Sequence, residues 1–261
     1  MYGAVLGDVI GSWYEVHNVK SEDFELFPHG ATFTDDSVLT VAVAESILRM
    51  DDQPPRNSYA AHMKAYYRRY PNAGFGSMFK EWALSEHLYV QKSFGNGAAM
   101  RISAIGWAFD QEKDILHQVK ECCHYTHHHK EAIQHAQAVA IAVFLARSGA
   151  PKEEIKEVMM KYFKMKFTPL DHLRDDYKFD SRSSYSVPPA IEAFLESTDY
   201  ESCIRKAISI GGDSDTIAAI AGGIAEAYYH EIPEHIKNRG RMLLDMGLKK
   251  VLDEFEAKYG K

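Results

Sequence analysis

Only three cysteines occur in 261 residues: Cys122, Cys123 and Cys203. An odd count with two adjacent in sequence leaves no disulfide framework to read and fits a reducing interior. Basic charge is also short, with 30 Lys and Arg against 37 Asp and Glu and a formal net charge of −7. No global basic field exists to draw nucleic acid or an anionic membrane, so an anionic ligand must be held by local donors and bound cations. Long apolar runs are missing too. The longest, residues 138–146, falls far short of the roughly 20 residues a bilayer crossing needs. The first residues, Met1-Tyr2-Gly3-Ala4-Val5-Leu6-Gly7-Asp8, carry no basic flank and reach an acid early, unlike a signal peptide. The expected location is the cytoplasm. Alternating apolar runs bounded by hairpin turns are absent, and with them the case for a sheet. No Pro-, Gly- or Ser-rich linker divides the chain and no fixed-period repeat recurs, so residues 1–261 are expected to form one domain.

What is present reads as helix. Apolar spacing is helical over residues 37–49, 98–109, 131–148, 152–164, 189–195, 201–210, 216–230 and 241–259. Gly149 and Pro151 supply a stop after the third of these. Residues 136–146 and 217–229 are apolar on more than one face, as helices in the middle of a bundle are. Small residues dominate 218–225 and let neighbouring backbones approach closely. Residues 17–30 and 174–189 are the candidate long loops. The expected fold is all-α.

Two segments exceed what helix formation needs. Thr34-Asp35-Asp36 stands directly before the helix that starts near Ser37, and Gly211-Gly212-Asp213-Ser214-Asp215-Thr216 stands before residues 217–229. Capping and the helix macrodipole explain one carboxylate at such a place. Two adjacent carboxylates with a flanking hydroxyl repel each other and need an offset, which a cation supplies. The donors are all oxygens, suited to hard cations such as Mg²⁺ or Mn²⁺ rather than zinc. Carboxylates converging from two distant segments can hold an ion pair ~3.5–4 Å apart, as two-metal hydrolytic sites do. The loop Ser93-Phe94-Gly95-Asn96-Gly97, ahead of a helix, offers backbone donors that could cradle phosphate oxygens, or is an ordinary loop. The run Cys122-Cys123-His124-Tyr125-Thr126-His127-His128-His129 crowds its ligands instead of spacing them as zinc sites do, and no partner Cys pair appears elsewhere. Structural or single-residue roles are expected there.

Taken together these residues resemble the ADP-ribosylglycohydrolase family. The likeness runs through residues 3–15, Phe33-Thr34-Asp35-Asp36-Ser37, residues 95–101, Thr126-His127 and residues 211–223, in that order. The resemblance implies a compact orthogonal multi-helix bundle with a binuclear Mg²⁺ or Mn²⁺ centre at one end. Thr34, Asp35, Asp36, Asp213, Asp215 and Thr216 would then be the metal ligands, and Glu15 a mobile acid beside them. Ser93, Phe94, Gly95, Asn96 and Gly97 would wrap the diphosphate and distal ribose of ADP-ribose, with His127 near the phosphates. Phe94 stands where the family often has tyrosine.

The chemistry so implied is hydrolysis at the anomeric carbon of that ribose through an oxocarbenium-like transition state. Asp36, Asp215 and Glu15 are the candidates to position or deprotonate the attacking water. The partner would be ADP-ribose or an ADP-ribosylated substrate, nucleic acid entering only as such a substrate. Rival readings are a non-catalytic ADP-ribose-binding module, a phosphatase or pyrophosphatase on the same oxygen-rich centre, and a structural protein with two well-capped helices.

Overall fold

The computed structural model describes residues 1–50 and 53–260. Its first helices are α1 (Tyr2–Val16), α2 (Asp35–Leu48), α3 (Pro55–Arg69) and α4 (Ser77–Leu84). A 3₁₀ turn (Asn96–Ala98) follows, then α5 (Ser103–Ala108), α6 (Glu112–Cys123), α7 (Lys130–Arg147), α8 (Lys152–Tyr162) and α9 (Leu170–Leu173). The chain ends with α10 (Ser183–Glu196), α11 (Tyr200–Ser209), α12 (Ser214–Tyr229), α13 (Glu234–Met242) and α14 (Met246–Tyr259). No sheet forms among the described residues. Isolated bridges join Lys92 to His127 and Gly95 to Arg182, pinning the loop ahead of the 3₁₀ turn. The all-α expectation holds.

The two helices expected in the middle are there. α12 packs against α1, α2, α5, α7, α10 and α11, and α7 against α5, α6, α8, α10 and α12. The closest packing joins α1 to α12, and glycine makes it possible. A Cβ on Gly3 would lie 2.4 Å from the Gly222 carbonyl oxygen, and one on Gly7 only 2.2 Å from that of Ala218. One on Gly11 would lie 2.6 Å from Asp215 Cα. Partner numbers fall as the α1 numbers rise, so the helices run antiparallel. Gly3, Gly7 and Gly11 recur every four residues, which keeps them on one stripe of the helix. Their poor helix propensity explains why spacing alone did not reveal α1.

Three expectations on helix boundaries need correction. Residues 98–109 are not one helix. Ala99 and Met100 both donate to the Asn96 carbonyl, and the helix restarts only at Ser103. Residues 241–259 divide into α13 and α14, because Asp245 caps α14 by accepting from Leu248 N–H at 2.8 Å. Residues 174–189 are not wholly loop, since α10 starts at Ser183 and contains Pro188 and Pro189. Pro189 has no N–H to give to the Tyr185 carbonyl, and the Tyr177 hydroxyl donates to that oxygen instead, at 2.8 Å. Helices α3, α4 and α6 were not expected. Their cores rest on Tyr59, Met63, Tyr66 and Tyr67, on Phe79 and Trp82, and on Ile115 and Val119, within otherwise polar sequence.

Candidate active site

The antiparallel α1–α12 contact brings the last turn of α1, with Glu15, beside the first turn of α12, with Asp215. Asn18 ties the two ends together. It donates to the carbonyls of Tyr14 (2.7 Å) and Glu15 (2.8 Å) and accepts from Gly212 N–H at 2.6 Å. Gly211 and Gly212 have φ of +71° and +77°, a region that disfavours L side chains. A Cβ on Gly212 would also lie 2.5 Å from the Tyr177 ring. Lys20 donates to the Tyr177 carbonyl (2.7 Å) and the Ile210 carbonyl (2.6 Å), so the loop expected at residues 17–30 is clamped over the approach to α12.

The N-terminus of α2 is anchored by Asp8, an acid inside α1 to which no sequence motif gave a role. Asp8 is fully buried, and its carboxylate accepts from Thr34 N–H (2.9 Å), the Thr34 hydroxyl (2.6 Å), Ser37 N–H (3.0 Å) and the Ser37 hydroxyl. A signal for it did exist. Asp8 lies seven residues before Glu15, two helical turns, and so on the same face of α1.

Capping does not use the surplus acids. The side chain that caps α2 is Thr34, which accepts from Asp36 N–H at 3.3 Å. The Asp213 carboxylate makes no cap bond to α12. It accepts instead from the Asn96 side-chain amide at 2.7 Å, while the same amide nitrogen donates to Ser186 Oγ at 2.9 Å. Asp215 accepts from Thr216 N–H at 2.9 Å, and the Thr216 hydroxyl donates to Asp36 Oδ2 at 3.2 Å, joining α12 to α2. Asp36 is buried, and its Oδ1 has no hydrogen-bond partner among the described residues. A bare carboxylate oxygen in the interior is costly unless something positive meets it.

Ligand oxygens of Asp8, Asp36 and Asp215 lie within 4.8 Å of one another, as do those of Glu15, Asp213 and Asp215. Burial first, then neighbouring carboxylates, pushes the Asp36 and Asp215 carboxyls well up from the usual carboxylate range. Asp35 is pushed up to about 7, by burial first and then by Asp8. Glu15 is raised by burial, Asp213 and Asp8. Asp8 is raised by burial, with the Ser37 and Thr34 hydrogen bonds opposing that rise. Shifts of this kind, in a cleft, mark groups arranged for a ligand. An all-oxygen, charge-crowded set with an unpartnered Oδ1 fits hard divalent cations.

A cleft of about 340 Å³ unites the sequence-predicted residues, within the ~300–1,000 Å³ span of small-molecule sites. It is lined by Thr34, Asp35, Asp36, Asp213, Asp215, Thr216 and Glu15, and also by Ser93, Gly95, Asn96, Gly97 and His127. Phe94 is not in that lining. Its ring is half-exposed and meets His129 edge-on, with centroids 5.9 Å apart. The role expected of the loop narrows as well. Gly95 N–H is taken by Ser93 Oγ (3.1 Å) and Asn96 N–H by the Ser181 carbonyl (2.8 Å), so neither is free for a phosphate. Met78, Phe79, Phe179 and Ser181 line the cleft without having been foreseen. Phe179 comes from the loop ahead of α10, and Met78 and Phe79 from α4, where no periodicity had signalled a helix.

Fold and site together describe an all-α protein whose acidic cleft could hold ions and a small anionic ligand. The model of the ADP-ribosylglycohydrolase family matches residues 1–259, and the chain belongs to that family. The ADP-ribosylhydrolase ARH3 of Xenopus tropicalis is 26% identical over 302 aligned residues, covering 88% of this chain and 86% of its own. The ADP-ribosylarginine hydrolase Tri1 of Pseudomonas putida is 24% identical, covering 88% of this chain and 69% of its own. A solved structure titled an ADP-ribosylglycohydrolase-related protein complex superposes with a TM-score of 0.69 at 24% identity, covering 92% of this chain and 94% of that one. The protein is a hydrolase of glycosidic bonds to ADP-ribose. No helix among the described residues is long and apolar enough to cross a membrane.

Proposed function

We propose that hydrolysis takes place at the acidic centre of the cleft, within one domain spanning residues 1–261, with two divalent cations, Mg²⁺ or Mn²⁺, held by Thr34, Asp35, Asp36, Asp213, Asp215 and Thr216. The observation that carries this reading is the meeting of two acidic helix starts around an unpartnered Asp36 Oδ1. Bound there, such ions would orient the ribose hydroxyls and make a nearby water more acidic. The chain's own groups do the rest. Asp36 and Asp215 hold the water in line, and Glu15, whose affinity for a proton is raised, accepts one from it. Asp8 keeps the Thr34 hydroxyl proton occupied, so the lone pair of Thr34 that the Asp36 N–H does not engage is left for an ion. Asn96 fixes Asp213 from behind. Such outer partners commonly decide ligand geometry.

Ser93, Gly97 and His127 line the same cleft and are assigned to the ADP-ribose diphosphate, with Gly95 and Asn96 shaping the loop that carries them. Phe94, half-exposed, is left to stack on a base. Arginine is one acceptor to test, because Tri1 is named for it, and serine is a second. The test is release of ADP-ribose from both kinds of ADP-ribosylated peptide, with and without chelator, by the wild type and by Asp215→Asn. Cation-dependent release that the variant loses supports the assignment. Release that survives chelation, or that the variant retains in full, overturns it.

A further inference from the structure

Arg101 is fully buried, yet no carboxylate among the described residues pairs with it. Its Nη2 donates to the Thr126 hydroxyl at 2.8 Å and to the Cys122 carbonyl at 3.3 Å, near the C-terminal end of α6. The negative end of that helix offsets part of the cost of a buried cation. Nε and Nη1 have no partner among the described residues. The side chain is fully buried behind the cleft it borders. Its effect has to pass through what it holds.

It holds Thr126, and Thr126 holds His127. Thr126 Oγ1 lies 2.9 Å from His127 Nδ1. A guanidinium can only donate, so the hydroxyl accepts from Arg101 and its single proton is free to point at Nδ1. With that proton turned to Nδ1, the ring nitrogen accepts and the neutral ring carries its own proton on Nε2. The ring stays neutral, because burial and the nearby Arg101 both press its pKa well below the ordinary histidine value. Nε2 faces the glycines of the cleft loop. A Cβ on Gly97 would lie 3.1 Å from it and one on Gly95 3.8 Å. No protein group among the described residues takes Nε2.

The geometry points to Arg101 and Thr126 as positioning residues that hold His127 as a neutral Nε2–H donor aimed into the cleft at an oxyanion of the ligand. This rests on the reading above in one respect, that the oxyanion belongs to the diphosphate of ADP-ribose. An uncharged donor suits a cleft lined by Glu15, Asp35, Asp36, Asp213 and Asp215, because an imidazolium there would attract carboxylates as well as phosphate. The device also makes the donor insensitive to pH across the neutral range.

The test separates tautomer from ligand. In ligand-free protein labelled with ¹⁵N-histidine, NMR of the His127 ring is expected to show Nε2–H at neutral pH, with Nδ1 hydrogen-bonded. Arg101→Met removes the donor that turns the hydroxyl proton toward Nδ1, so this variant is expected to show a mixture of tautomers. In Thr126→Val the Nδ1 resonance is expected to move to the position of an unbonded nitrogen, and in Thr126→Ser to stay. Calorimetry with ADP-ribose is expected to give binding about tenfold weaker in Thr126→Val, as for one lost hydrogen bond, and near wild-type binding in Thr126→Ser. An Nδ1–H or imidazolium form in the wild type overturns the proposal whether or not any of the variants folds. So does unchanged ADP-ribose binding in a folded Thr126→Val. Failure of wild-type protein to bind ADP-ribose would refute the functional reading instead, and the tautomer result would still decide the positioning role.

Discussion

Replacing Asp36 by Asn is expected to make the protein more stable without cations and less stable with them. Oxygens of Asp8, Asp36 and Asp215 lie within 4.8 Å of one another in the interior. At an effective dielectric of about 20, two unit charges at such a separation repel by about 3 kcal/mol. Partial protonation relieves some of this in chelated protein, so removing one charge should return about 1–2 kcal/mol, a rise in Tm of roughly 2–8 °C. The amide oxygen can still accept from the Thr216 hydroxyl, so packing changes little. With a cation at about 100 times its Kd, binding stabilises the wild type by about 2.7 kcal/mol, or roughly 5–11 °C. The variant should lose most of that rise. Scanning calorimetry of both proteins in chelator and in saturating Mg²⁺ or Mn²⁺ supplies the four melting points. A variant that melts below wild type in chelator while keeping the full cation-induced rise would refute the reasoning.

Asp8→Asn should reduce divalent-cation affinity by about 10–100-fold, the usual cost of losing a partner behind a ligand, measurable by calorimetric titration; unchanged affinity would remove Asp8 from the centre's support. Gly7→Val should destabilise by at least about 1–3 kcal/mol, because its Cβ would press on the Ala218 carbonyl; a urea midpoint equal to wild type would mean the α1–α12 contact is looser than described. Asn96→Ala leaves the buried Asp213 carboxylate without its amide donor and should cost about 1.5–3 kcal/mol in cation-free protein, read from the same denaturation curves. The pH dependence follows from Asp35, whose folded pKa of about 7 lies above the ordinary 3.8. A raised carboxyl favours the folded state at low pH, so its contribution is lost as pH climbs from about 4 through about 7. Chelated protein should therefore lose stability over that window, and a flat profile would contradict the crowding of these acids.

The acidic centre was legible because its residues break a local rule. Asp35 and Asp36 follow a threonine that already caps α2, and Asp213 precedes a helix it does not cap. An excess of carboxylates over capping need is visible in one dimension. Asp8 was harder to read, since a single acid inside an apolar helix becomes meaningful only when Thr34 and Ser37 are seen to donate to it. Helix α1 escaped notice because close packing overrides the low helix propensity of Gly3, Gly7 and Gly11. The start of α10 was hidden for a related reason. Prolines argue against helix, and only the remote Tyr177 hydroxyl makes Pro189 tolerable there. The phosphate-loop expectation narrows to fewer donors because loop composition does not reveal which N–H groups are already paired, as those of Gly95 and Asn96 are.

The most direct measurement is a titration of Mn²⁺ into chelator-stripped protein, followed by electron paramagnetic resonance. Two ions bound per chain, with a spectrum showing coupling between them that Asp215→Asn abolishes, is the result expected of oxygen ligands converging from α2 and α12. Protein that binds no Mn²⁺, or binds it equally well after Asp215→Asn, would contradict the account at its root.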